Sequence, residues 1–331
     1  MNIAKRIATV LLSSLLVLVI LIMLFNLFLH VRYSDFYRNS KSVGEVAGLG
    51  DGLVQQGLDY VEECGALLTS GYMNDGSASR VYVNVDGKEF YTSLKKEDGS
   101  DYTGHVGGIA HFGPFLYASC SDGVDVFAID DVLRGNPTAT RLGTIKLSHN
   151  ASWVTVYNGR LYAGRFAEVG DYVTSYASYP EHTRENPNLP GDMNCSVITE
   201  YPLSTDSALG FATTTPTKVI SIRDKVQGAA FTESGEIILS TSWGATSSRL
   251  YVYGKDINGA ADGTMSIDGT DVPLYFLGED SLTKTVVAPP MAEEIVVIDG
   301  WLYIMNESAS KKYLFGNFIG GRQLYAYDLT A

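Results

Sequence analysis

Five separate apolar runs in this chain open at, or within a residue of, a polar side chain that can do chemistry: Gln56, His105, the pair His149 and Asn150, Gln227, and Glu293. An imidazole that titrates near neutrality can serve as acid, base or metal ligand, and amide and carboxyl groups can hold a polar ligand. Two histidines with Glu293 or Glu294 would suffice for a transition-metal site. Such residues lie too far apart in sequence to form a local motif. Only a fold that brings the chain back to one place several times can gather them.

Other chemistries are excluded by pattern. The sequence holds no GxSxG elbow, no HExxH, no GxxxxGK[ST] phosphate loop and no GxGxxG after a strand. Asp256, Asn258, Asp262, Asp268 and Asp271 make an acidic loop, but Ala260 stands where a calcium loop of the EF-hand type needs an oxygen ligand. With 24 basic against 37 acidic residues the net charge is −13, which disfavours nucleic acid and anionic surfaces as partners. The three cysteines, Cys64, Cys120 and Cys195, have no metal-binding spacing and leave the disulfide state open. These patterns leave any cofactor open.

The elements that must position the polar residues are repeated. Leu116-Tyr117, Leu161-Tyr162 and Leu302-Tyr303 each follow a turn (Gly113-Pro114, Asn158-Gly159, Asp299-Gly300) that itself follows an apolar run. Gln56-Gly57 is matched by Gln227-Gly228, and the run 77–83 by the run 247–252. Repeats of about 40–50 residues with about four strands each predict an all-β fold, a β-propeller. The count is five four-stranded blades, with six as the alternative because residues 278–291 are ambiguous. Inner strands are expected from residues 54, 105, 150, 226 and 292. The outer strand of the fourth blade is expected at 273–277. The fifth blade lacks an outer strand, which residues 31–50 could supply, closing the ring.

Strands of a meander alternate in direction, so the start of each inner strand shares a face with the loop joining the second strand to the third. All the polar residues named above therefore belong at one mouth of the central channel. The longest such loop, Glu168 to Asn194, brings Tyr172 and Tyr176, whose flat rings suit a rim or lid. A polar cluster at a concave mouth is the expected ligand site.

The run from Ile7 to Leu29 carries no charge. At about 1.5 Å per residue it can cross a bilayer core of roughly 30 Å. Residues 1–30 read as a transmembrane anchor, 31–50 as a stalk and 51–331 as the propeller domain. Lys5 and Arg6 before the span are balanced by Arg32, Arg38 and Lys41 after it, so charge does not set the orientation. A Tyr-rich, Lys-poor β domain after an N-terminal anchor is expected outside the cell membrane.

The segments HVGGI (105–109), FLYAS (115–119), GVDVF (123–127), HNASW (149–153) and VQGAAF (226–231) together resemble uncharacterised secreted or membrane-anchored bacterial β-propeller proteins. More distantly, the layout is similar to lactonase-like and strictosidine-synthase-like propellers. The resemblance implies a propeller and an extracytoplasmic location, and it carries over no catalytic residue. The metal site of the distant group uses acidic and amide side chains, where this chain offers His105, His149 and Gln. The functional expectation is a binding module for a polar ligand, a glycan or peptide, held at the funnel mouth. The alternatives are a metal-assisted hydrolase or lactonase using the histidines, or an envelope scaffold.

No small-residue cleavage site follows the apolar run, so the span is expected to be retained. N-terminal sequencing of the protein from the membrane fraction checks this. A mature chain starting within residues 31–50 would contradict it.

Overall fold

The computed structural model describes residues 3–168 and 194–331. Hairpins form where the sequence supplies two residues able to take positive φ: Asp86-Gly87 at 51° and 75°, Asn158-Gly159 at 49° and 68°, Asp299-Gly300 at 50° and 77°. These are type I′ values, whose twist matches that of the flanking strands, so the apolar runs on either side pair without splaying.

Five sheets result, arranged as the blades of a propeller. The first runs outward through Leu53–Val61, Ala66–Met73, Arg80–Val85 and Lys88–Lys95. The second comprises Ile109–Phe112, Phe115–Cys120, Gly123–Ala128 and Gly143–Lys146. The third comprises Trp153–Tyr157, Arg160–Gly164, Asn194–Pro202 and Lys218–Arg223, and the fourth Val226–Phe231, Ile237–Thr241, Ser248–Tyr253 and Leu282–Ala288. The fifth comprises Ala292–Ile298, Trp301–Asn306 and Gln323–Asp328. Its outer strand is Ser40–Glu45 from the other end of the chain, with Ser40 opposite Tyr327 and Glu45 opposite Gln323. The ring is closed by strand pairing between the N-terminal and C-terminal segments, which removes an open edge.

The inner strands of the second and third blades start later than expected, at Ile109 and Trp153, so His105 and Asn150 lie in the segments before them, and one outer strand differs outright. Leu282–Ala288, not residues 273–277, is the outer strand of the fourth blade, and it takes up half of the ambiguous stretch. Thr270–Phe276 instead crosses to the third blade, where it lies parallel to Lys218–Arg223 and forms a hairpin with Gly263–Ile267. That hairpin buries Met265, Val272 and Leu274 against Val197 and Val219. Both stretches alternate apolar and polar residues, so the pattern specifies a half-buried strand without specifying which edge it covers. Thr138–Thr140 extends the first blade in the same way. Cys64 and Cys120 carry free thiols, so no bridge joins Cys120 to Cys195.

The apolar N-terminal run lies in one 30-residue helix, Ile3–Arg32, long and apolar enough to cross a membrane. A short helix, Ser34–Arg38, follows and leads directly into the closing strand. Phe36 is fully buried, its ring 5.4 Å from that of Tyr325 and 6.1 Å from that of Tyr327. This aromatic cluster seats the chain between the fourth and fifth blades, in a core that also holds Leu29, Tyr33, Val286 and Ala288.

Emptying that seat should loosen ring closure. Phe36→Ala is expected to lower stability by about 3–5 kcal/mol, the usual range for a buried phenylalanine. Urea unfolding followed by tyrosine and tryptophan fluorescence checks this.

Candidate functional site

Three inner strands slip register at corresponding places: between Gln55 and Gly57, between Val226 and Gly228, and between Ala292 and Ile295. A β-bulge leaves one residue unpaired and re-aims its side chain. Gln56, Gln227 and Glu293 thus occupy equivalent positions, followed by Gly57, Gly228 and Glu294 respectively.

The glycines admit a close approach. A Cβ on Gly57 would stand 2.2 Å from Ser70 Oγ and 2.9 Å from the Ile109 nitrogen. One on Gly228 would stand 2.6 Å from the Glu294 Cα, and one on Gly108 would stand 2.5 Å from Glu294 Oε1. Into the space so left, the fifth blade sends the Glu294 side chain. Its Oε2 accepts hydrogen bonds from the Leu58 N–H at 2.7 Å and the Ile109 N–H at 2.9 Å, in the first and second blades. Burial drives its pKa well above the usual carboxylate range, against the opposing pull of those main-chain N–H groups.

Above this anchor lies the mouth. Glu293 is 3% exposed and makes no hydrogen bond among the described residues. Burial, followed by the neighbouring Glu307 and Glu294 carboxyls, raises its pKa strongly. Glu307 accepts a hydrogen bond from Gln56 Nε2 at 2.9 Å, and burial pushes its pKa up to about 7 despite Lys312. The Lys312 ammonium donates to the Tyr72 hydroxyl at 2.5 Å, and the Tyr72 ring stacks on His105 with centroids 4.7 Å apart. Burial and then Lys312 lower the pKa of His105, so its imidazole is neutral at pH 7. The result is two carboxyls biased towards protonation, an amide, a neutral imidazole, a phenol and an ammonium within one polar patch. These groups can donate and accept hydrogen bonds to an uncharged polar molecule, and the stacked rings offer a flat face.

The structure brings Gln56, His105 and Glu293 into this patch through Glu307, Tyr72 and Lys312, three residues that the sequence reading did not single out. The alternation argument locates them: Tyr72 and Glu307 lie at or just beyond the end of second strands, and Lys312 sits in the loop joining the second strand of the fifth blade to its third, which belongs on the same face. His149 is placed differently. Its Nδ1 donates to the Asn150 carbonyl at 2.7 Å and its Nε2 accepts from Thr199 Oγ1 at 2.8 Å, within the third blade. Burial pushes its pKa down to about 4, and both ring nitrogens are occupied. Asn150 is exposed beside it, and Gln227 is half-buried at its bulge. Tyr172 and Tyr176 lie outside the described residues.

Among the described residues no group of three or more His, Cys, Asp or Glu side chains is arranged to hold a metal ion. The metal arrangement expected from His105, His149 and an adjacent glutamate therefore does not form there. A separate cleft of about 250 Å³ lies between the fifth and first blades, lined by Val46, Tyr60, Thr69 and Tyr303. It holds none of the mouth residues.

No protein-family model matches the chain, and none of the curated proteins is similar to it in sequence. Solved structures similar to it include the pyrroloquinoline-quinone-bound aldose sugar dehydrogenase from Streptomyces coelicolor. That protein is 15% identical with a TM-score of 0.44, over 87% of this chain and 96% of the other. A gluconolactonase from Xanthomonas campestris is 12% identical with a TM-score of 0.37, over 88% and 85%. Likeness at this level concerns the fold and carries no functional argument.

The raised pKa of Glu307 has a thermodynamic consequence. The native state holds its proton above the ordinary carboxylate pKa, so the stability this contributes is full at pH 4 and is lost as pH rises through about 7. Relative to Glu307→Gln, the wild-type protein should lose on the order of 3 kcal/mol of unfolding free energy between pH 4 and pH 8. Paired urea titrations across that range check the difference.

Proposed function

We propose that this chain is a membrane-anchored β-propeller, with its domain outside the cell, that binds a polar ligand at the mouth of its central channel. Glu293 carries the reading. Its carboxyl sits beside the Glu307 carboxyl with no protein hydrogen-bonding partner among the described residues, so its oxygens are available to a ligand from outside. The groups around it favour a glycan over a peptide. The carboxyls, amide and imidazole match ring hydroxyls, and the His105–Tyr72 stack offers a platform for a sugar face. No observation favours the metal-assisted hydrolase or the lactonase.

The test pairs stability with binding. Glu293→Gln keeps the shape and removes the ionisable group, so the ligand-free melting temperature is expected to hold or rise. Binding on a glycan array is expected to fall at least about tenfold, the cost of one or more lost polar contacts. A variant that melts well below the wild type, in a protein that retains no glycan or peptide, would show Glu293 to be structural and would remove the basis for a ligand site.

A further inference from the structure

The N-terminal helix meets the propeller on the same face as the candidate site. Arg32 donates to Ser247 Oγ from Nε at 3.2 Å and from Nη2 at 2.9 Å, and the Tyr33 hydroxyl lies 3.0 Å from the same oxygen. Ser247 ends the loop before Ser248–Tyr253, a second-to-third connection of the fourth blade and so on the mouth side. The Tyr37 hydroxyl donates to the Ile319 carbonyl at 2.6 Å, in the corresponding connection of the fifth blade. That connection also carries Lys312. From Tyr33 the chain then descends to the far face, where the Asn39 carbonyl accepts the Asp328 N–H at 2.8 Å. A chain that runs from the mouth side to the far side after residue 33 reaches residue 33 from above the mouth side.

No spacer separates helix from domain. Leu29, in the last turn of the helix, is already 6% exposed within the core between the fourth and fifth blades, and His30 stacks on Tyr37 at 4.9 Å. Ile3 to Phe25 lie outside the propeller's core, their large apolar side chains exposed. If this helix spans the bilayer, the membrane surface begins beside Arg32 and Ser247. Phe318, 46% exposed, and the exposed Lys311 then stand on the loop next to it, an apolar and a cationic side chain suited to the interface.

We infer that the mouth of the channel faces the bilayer and that its ligand is the hydroxyl-rich head group of a glycolipid in the same membrane. This rests on the anchored, ligand-binding reading given above and deepens it. A rigid junction holds the mouth next to the leaflet, so a head group is presented at high effective concentration, whereas a free sugar must diffuse into the gap. The net negative charge of the protein argues for an uncharged head group over an anionic phosphate.

Two of the three native tryptophans report the orientation, the third, Trp153, being fully buried in the third blade. Trp243 lies in the fourth-blade loop on the mouth side, and Trp301 follows the Asp299-Gly300 turn on the far side. The full chain is reconstituted in phosphatidylcholine vesicles with brominated acyl chains. Quenching is expected to fall sharply in Trp243→Phe, with only a residual contribution from the buried Trp153, and to persist in Trp301→Phe; the opposite pattern, or equal quenching in the two variants, overturns the inference. Binding is then measured with vesicles carrying glucosyl diacylglycerol and with free methyl glucoside. Per mole of sugar, the lipid-borne form is expected to bind at least about tenfold tighter, and Glu293→Gln is expected to abolish the difference. Equal binding of both sugars, lost in Glu293→Gln, would retain the ligand site and refute the membrane-facing inference. Binding of neither, with Trp243 still quenched, would refute the glycolipid assignment together with the sugar site and leave only the orientation.

Discussion

A propeller has to solve one problem at its axis: five inner strands converge there, and their opening amide groups need partners in a space too narrow for ordinary side chains. Glu294 answers it on one side of the ring. Its Oε2 takes the N–H groups of Leu58 and Ile109, so a single carboxyl from the fifth blade ties down the first and second. Buried N–H groups left without acceptors would each cost about 1–3 kcal/mol, so the carboxyl stabilises the ring even though its own burial is unfavourable. Gly57, Gly108 and Gly228 are the counterpart, because a Cβ at any of them would collide with backbone or with Glu294 itself.

The same arrangement generates the mouth. The bulge that sends Glu294 inward turns the preceding Glu293 towards the neighbouring Glu307 carboxyl, and the equivalent bulge in the first blade turns Gln56 onto Glu307. Structural anchor and candidate ligand groups are therefore adjacent residues with divided roles. Glu294 has main-chain partners and Glu293 has none among the described residues. Lys312 offsets part of the negative potential while its hydrogen bond to Tyr72 steadies the face on which His105 stacks.

Closure of the ring and attachment of the long apolar helix are likewise one device. The segment that completes the fifth blade is joined to the long apolar helix by seven residues built around Phe36, and those residues pack between the fourth and fifth blades. Displacing the helix would therefore strain the closing strand, and the loop that receives Tyr37 is the loop that supplies Lys312.

The alternation of apolar and polar residues, with Asn-Gly and Asp-Gly turns between them, determined most strands and the hairpin pairing of the inner strands, because these depend on near neighbours in the chain; it favoured five blades and left six open. Strand direction then followed, and with it the face on which Gln56, His105 and Glu293 belong. Alternation was silent on which edge a strand covers, so Thr270–Phe276 and Leu282–Ala288 were told apart only by packing. It was equally silent on side-chain partners. His105 and His149 have the same chemistry and comparable places in the repeat, yet one stacks on Tyr72 at the mouth and the other is held by Asn150 and Thr199. Which of two like residues is occupied depends on groups brought together from different blades. That juxtaposition exists only once the ring is closed, and so it was decided by the tertiary structure.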